Sequence, residues 1–176
     1  MLWYSGSERR RNEIGILVDE ELRGQAVKVK RVSDRVMTIK LIIEGSSVNI
    51  CSAYMPQTGL EEEEKKRFWE VLDEVIRGFP SSEIIFIGGD FNGNVGSLPM
   101  GYDDVHGGFG FRDRNIEGVA LLEFAGDFGK EDRAMCKDCK VISSENLATQ
   151  HRLLVMDLVI KKGKKRRGGV GRSRVR

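Results

Sequence analysis

Two histidines, His106 and His151, and three cysteines are all that 176 residues supply. That scarcity excludes a disulfide scaffold. Cys51 lies in an apolar run and reads as a small core residue. Cys136 and Cys139 form one lone "CKDC" pair. A zinc site normally needs two more ligands at matching spacing, with only the two histidines to draw on, so zinc is not expected. No apolar stretch approaches the roughly 20 residues needed to span a bilayer. The opening "MLWYSGSERRRNE" holds no apolar run of signal-peptide length. The expectation is a soluble intracellular protein, nuclear or cytoplasmic and not secreted, without a membrane partner.

Charge is present in quantity but unevenly spread. The tail "KKGKKRRGGVGRSRVR", residues 161–176, holds nine bases and no acid. Removing those nine from the 29 bases leaves 20 against 27 acids, a net charge of −7 for residues 1–160. A basic appendage on an acidic body suits contact with nucleic acid or an import receptor, and equally suits a solubilising end. The expected division is a folded domain over 1–160 and a basic disordered tail over 161–176. The length prior gives one domain with enough chain for a core.

Along the body, Ile14 to Val18 read as a short strand ending in the acidic turn "DEEL". "VKVKRV", "VMTIKLII" and "VNICSAY" read as three strands between Val27 and Tyr54, with "EGSS" as a hairpin turn. Met37, Ile39 and Leu41 alternate with polar residues, the pattern of a half-buried strand. Thr58 and Glu61 form a capping box for a helix whose apolar face is Phe68, Leu72, Val75, Ile76 and Phe79. Gly78 and Pro80 stop it. The strand Ile84–Ile87 follows, then the glycine-rich "GYDDVHGGFGFRDRN", of a length usually functional or disordered. Leu121, Leu122 and Ala125 suggest a short helix ended by Gly126. A polar stretch, "DFGKEDRAMCKDCK", precedes a last strand from Leu153 to Ile160. Strands and helices mix without a βαβ rhythm, which predicts α+β layers.

Four polar elements fall at strand ends or in that loop: Tyr54 in "AYMPQ", Asp90 and Asn92 in "GGDFNG", the "DDVHGG" loop, and His151 in "TQHR". An aspartate at a strand end often only caps the following loop. Together, though, carboxylate, amide, phenol and imidazole suit water-driven cleavage of a phosphodiester. Asp90 can orient and deprotonate water. Asn92, Tyr54 and His151 can bond to phosphate oxygens as charge builds. A divalent ion would add Lewis acidity, normally held by further carboxylates.

Over nearly all of residues 2–160 the chain resembles the endonuclease/exonuclease/phosphatase superfamily, most closely the apurinic-like endonuclease domains of LINE-type retrotransposons. The pieces that carry the resemblance include "RVSDRVMTIKL", "VNICSAYMPQTG", "KKRFWEVLDEVI", "FIGGDFNGNVG", "GYDDVHGGFGFRDRN" and "ENLATQHRLLVMDL". The resemblance implies a four-layer α/β/β/α sandwich, DNase I-like, with the site at one mouth of its two sheets. It implies Asp90 as the water-activating aspartate, Asn92 as the phosphate-steadying amide, and Tyr54 and His151 as the matching tyrosine and histidine. Mg²⁺ is the cofactor implied, with Asp90 its remaining ligand. DNA is the partner implied, and no small-molecule cofactor is.

Departures from the family pattern matter as much. The chain starts at "LWYSG", so the fold is expected to be incomplete at its N-terminus, without the family's asparagine and principal metal-binding glutamate. It is expected to be incomplete again near residues 125–136, where strands and a site aspartate are awaited. Position 150 is Gln, where the family has an aspartate that orients the histidine. Two classes of function follow. One is a remnant of a metal-dependent, DNA endonuclease-like phosphodiesterase, weakly active or inactive. The other is a catalytically dead nucleic-acid-binding or scaffold protein that works through residues 161–176.

Overall fold

The computed structural model describes residues 2–5, 14–56, 62–106, 110, 113–128, 135–148 and 151–159. The expected capping box at Thr58–Glu61, Gln150 and the basic tail lie outside them. A four-stranded sheet organises the rest, in the order β3 (Ala26–Arg31), β4 (Val36–Ile43), β5 (Ser46–Tyr54), β6 (Ile84–Asp90). β4 runs antiparallel to both β3 and β5, and β6 joins β5 in parallel. A parallel pair needs a long crossover, and the helix α2 (Glu62–Arg77) lies within it. The β4–β5 turn is Glu44–Gly45, with φ of 49° and 82°. Two successive positive φ values suit the right-handed twist of a tight hairpin, and glycine takes the second without cost.

The alternation read at Met37, Ile39 and Leu41 is real, but β4 is buried on both faces rather than one. Met37, Ile39 and Leu41 pack with Ile14, Ile16 and Val18. These come from a separate hairpin of β1 (Leu2–Ser5) with β2 (Ile14–Leu17). On the other face, Val36, Cys51, Ala53 and Met55 pack against Phe68, Leu72 and Ile76 of α2. Burial pushes the Cys51 thiol up to about 12, as the core reading requires. A second helix, α3 (Ile116–Phe128), lies beside α2: Trp69 and Phe124 have ring centroids 5.1 Å apart, and Arg77 stands 5.0 Å over the Phe128 ring. The fold is mixed α+β, with helices on one face of the central sheet and a β-hairpin on the other.

Several boundaries differ from those read off the sequence. "DEEL" is not a simple turn: Asp19 caps a one-turn helix, α1 (Glu20–Arg23), its Oδ1 accepting from Glu21 N at 3.0 Å. β6 continues three residues past Ile87, because Gly88 and Gly89 stay in the ladder opposite Ser52 and Ala53. α3 runs through Gly126 and begins well before Leu121, since Asn115 caps it. The polar stretch after residue 134 forms a fourteen-residue strand, β7 (Met135–Ala148), carrying Cys136 and Cys139. β7 pairs antiparallel with β8 (His151–Val159), which starts two residues earlier than expected. Among the described residues this pair is not hydrogen-bonded to either other sheet.

Candidate functional site

β6 delivers Asp90 to the end of the central sheet through two glycines. Gly89 has φ +153°, and a Cβ on it would lie 1.8 Å from the Ala53 carbonyl oxygen. No other residue allows that approach, so "GGD" is a packing requirement as much as a site signature. Asp90 then stands in register with Tyr54 on β5, and its carbonyl accepts from Met55 N at 2.9 Å. Residues paired across a parallel ladder share a face of the sheet, so the phenol and the carboxylate project to the same side.

Asn92 occupies the turn beyond. Its φ of 50° is left-handed, a conformation asparagine tolerates better than most residues. Asn92 N donates to Asp90 Oδ1 at 2.9 Å, and its side-chain Nδ2 donates to Met55 O at 2.9 Å. The capping interpretation of Asp90 is thus correct as far as it goes: one carboxylate oxygen organises the turn. That bond also fixes the carboxylate's direction, which water-orienting chemistry requires.

The loop beyond is held by residues of the long glycine-rich segment. Asn115 Oδ1 accepts from Asn94 N and from Gly118 N, each at 2.8 Å, while its Nδ2 donates to Asn92 O at 3.2 Å. A single amide therefore caps α3 and ties it to the site turn. Arg114 donates from Nε to Val95 O at 2.9 Å and from Nη2 to Leu98 O and Pro99 O at 2.6 and 2.7 Å. The buried His106 donates from Nε2 to Gly96 O at 2.9 Å. The "DDVHGG" histidine is a loop tie. Asn115 and Arg114 escaped sequence reasoning, although an asparagine just before an apolar helical run is an N-cap signal.

Tyr54, Asp90 and Asn92 are brought together. His151 is the first residue of β8, opposite Ala148, in the separate two-stranded sheet. A fourth residue at the central sheet's end was missed: Arg35. Its carbonyl accepts from Tyr54 N at 2.9 Å, and its guanidinium carbon stands 5.6 Å from the Tyr54 ring centroid. In the sequence Arg35 falls between the strands read at "VKVKRV" and "VMTIKLII", where nothing marks it as a site residue.

Among the described residues the fit to a metal is poor. Among the described residues no group of three or more His, Cys, Asp or Glu is disposed to hold an ion. At the sheet end one oxygen of Asp90 is engaged by Asn92 N. The ion pair of Lys65 with Glu117 joins α2 to α3.

No protein-family profile matches the chain. Curated relatives do. Over 124 residues the chain is 28% identical to craniofacial development protein 2 of Bos taurus and 26% identical to that of Tragulus javanicus. The chain is thus similar to a part of craniofacial development protein 2, over 70% of its own residues and 21% of each relative's length.

Proposed function

We propose that the chain carries part of a metal-dependent, DNA endonuclease-like phosphodiesterase domain of the endonuclease/exonuclease/phosphatase kind, with weak turnover. In this reading the helices α2 and α3, the four-stranded sheet and the β1–β2 hairpin are three layers of an α/β/β/α sandwich. The observation that carries it is the Tyr54–Asp90 register at the sheet end, with Asn92 fixing the carboxylate from the next turn. Asp90 orients the attacking water; Tyr54 supplies a hydrogen bond to a phosphate oxygen, and His151 of "TQHR" a second. Asn92, committed through Nδ2 to Met55 O, acts as much on the turn as on the phosphate. The described residues do not form a metal site, so Mg²⁺ is assigned no step.

The test is nicking of supercoiled plasmid by the full chain in Mg²⁺ or Mn²⁺ buffer. Slow nicking that vanishes in Asp90→Ala is expected. Nicking that persists in Asp90→Ala comes from a contaminant and refutes the assignment.

A second reading is favoured by the charge distribution: binding of DNA or other nucleic acid mainly through residues 161–176. A body of −7 repels phosphate, and nine bases in sixteen residues attract it. Such binding is sequence-independent and weakens steeply with salt, because each neutralised phosphate releases counterions. Deleting residues 161–176 is expected to remove most DNA affinity at low salt. Absence of nicking, combined with that loss, assigns the function to the tail.

A further inference from the structure

We infer that Arg35 is the residue that receives the phosphodiester at the Asp90 end of the sheet, a role that rests on the phosphodiesterase reading of that end. Three strands meet there in order. Arg35 immediately precedes β4, Tyr54 closes β5 and Asp90 closes β6, and the three lie side by side across the ladder. Strand spacing of about 4.8 Å puts Arg35 and Asp90 roughly 10 Å apart between backbones. An arginine reaching in from one side and a carboxylate from the other can share one phosphate and one water between them.

The arginine's direction is set by its neighbours. Its backbone N–H donates to Ser33 Oγ at 3.2 Å, which shapes the bend before β4. Its guanidinium is over the Tyr54 ring, on the sheet face that Tyr54 and Asp90 share. Stacking on an aromatic holds the plane of a guanidinium while leaving its N–H edge to bind an anion. Among the described residues Arg35 makes no ion pair with a carboxylate; the pairs present involve Lys40, Lys65, Lys66 and Arg77. A half-buried cation with no carboxylate ion pair among the described residues, beside a phenol, matches the demand of a phosphodiester: planar, bidentate, positive.

The experiment is fluorescence anisotropy of a labelled 12-base-pair DNA with the full chain, its Arg35→Ala, Arg35→Lys and Asp90→Asn variants, across a salt series. The tail contributes equally to all four proteins. Arg35→Ala is expected to weaken binding about three- to tenfold at low salt and to reduce the salt slope by about one. Arg35→Lys should keep the slope, because the charge remains. Asp90→Asn should tighten binding by removing a negative charge from beside the phosphate. An Arg35→Ala protein with unchanged affinity and slope overturns the role of Arg35; if Asp90→Asn still tightens binding, the phosphodiester reading of the sheet end survives that failure. If neither variant moves binding, both fall together. If Arg35→Ala does not fold, Arg35→Gln against Arg35→Lys isolates the charge. A slope lowered in Gln and kept in Lys supports the role, and equal slopes overturn it.

Discussion

Lys65 on α2 and Glu117 on α3 meet at 3.2 Å, with only 13% and 8% of their side chains exposed. Lys65 also bonds Glu62 at 2.8 Å, so one ammonium serves two carboxylates. The backbone N–H of Glu117 holds its own carboxyl below the usual glutamate value of 4.5; burial opposes that shift and Lys65 reinforces it. A depressed folded value contributes stability above the unfolded value, lost as pH falls through the folded one. The urea midpoint of the wild-type protein should therefore decline as pH drops below about 4.5, and Glu117→Gln should flatten part of that decline. Glu83 accounts for a further part, since Asn49 and then Lys40 depress its carboxyl in the same way.

Leu72 is fully buried between α2 and the central sheet, whereas Leu17 is 77% exposed. Leu72→Ala should cost about 2–5 kcal/mol by leaving a cavity. Leu17→Ala should stay within about 0.5 kcal/mol. Chemical denaturation of the two variants checks the contrast. Comparable losses would mean the β1–β2 hairpin's outer face is covered in solution.

Gly88 and Gly89 provide an adjacent control pair. A Cβ at Gly88 meets nothing within 4 Å, while at Gly89 it meets the Ala53 carbonyl at 1.8 Å. Gly88→Ala should change stability by about 1 kcal/mol or less. Gly89→Ala should cost about 1–3 kcal/mol or more, by prising β6 from β5. Thermal melts of both proteins test this, and equal melting temperatures would refute the close β5–β6 approach.

Asn92→Ala removes the donor to the buried Met55 carbonyl and leaves an alanine in a left-handed turn. The unsatisfied carbonyl costs about 1–3 kcal/mol, and the backbone about 1 kcal/mol more. Asn92→Gly relieves the second cost but not the first, so it should fall between wild type and alanine in denaturation midpoint.

The core was legible because its signals are periodic: Phe68, Leu72 and Ile76 announce a helix face, and Met37, Ile39 and Leu41 a strand face. The second buried face of β4 was not, because Val36 and Thr38 become interior only when α2 arrives from distant sequence. β7 was hidden by composition. "MCKDCKVISSENLA" alternates poorly, and its pairing with β8 carries three register shifts that no periodic pattern announces. At the candidate site, Tyr54, Asp90 and Asn92 were readable as polar residues at or just beyond apolar strand ends. Arg35 was not, since its neighbour Tyr54 is nineteen positions away and only the β4–β5 register joins them.

Among the described residues β6 has a hydrogen-bonded neighbour on one side only, β5, so the candidate water-orienting aspartate rides on a border strand. Alternate amides of Ile84–Asp90 should then exchange with deuterium faster than those of β5, which is flanked by β4 and β6. The stationary half of the site is Arg35 and Tyr54, built on the sheet interior. Asp90 is the half carried by the border strand, so exchange along Ile84–Asp90 reports on the part of the site that holds the carboxylate.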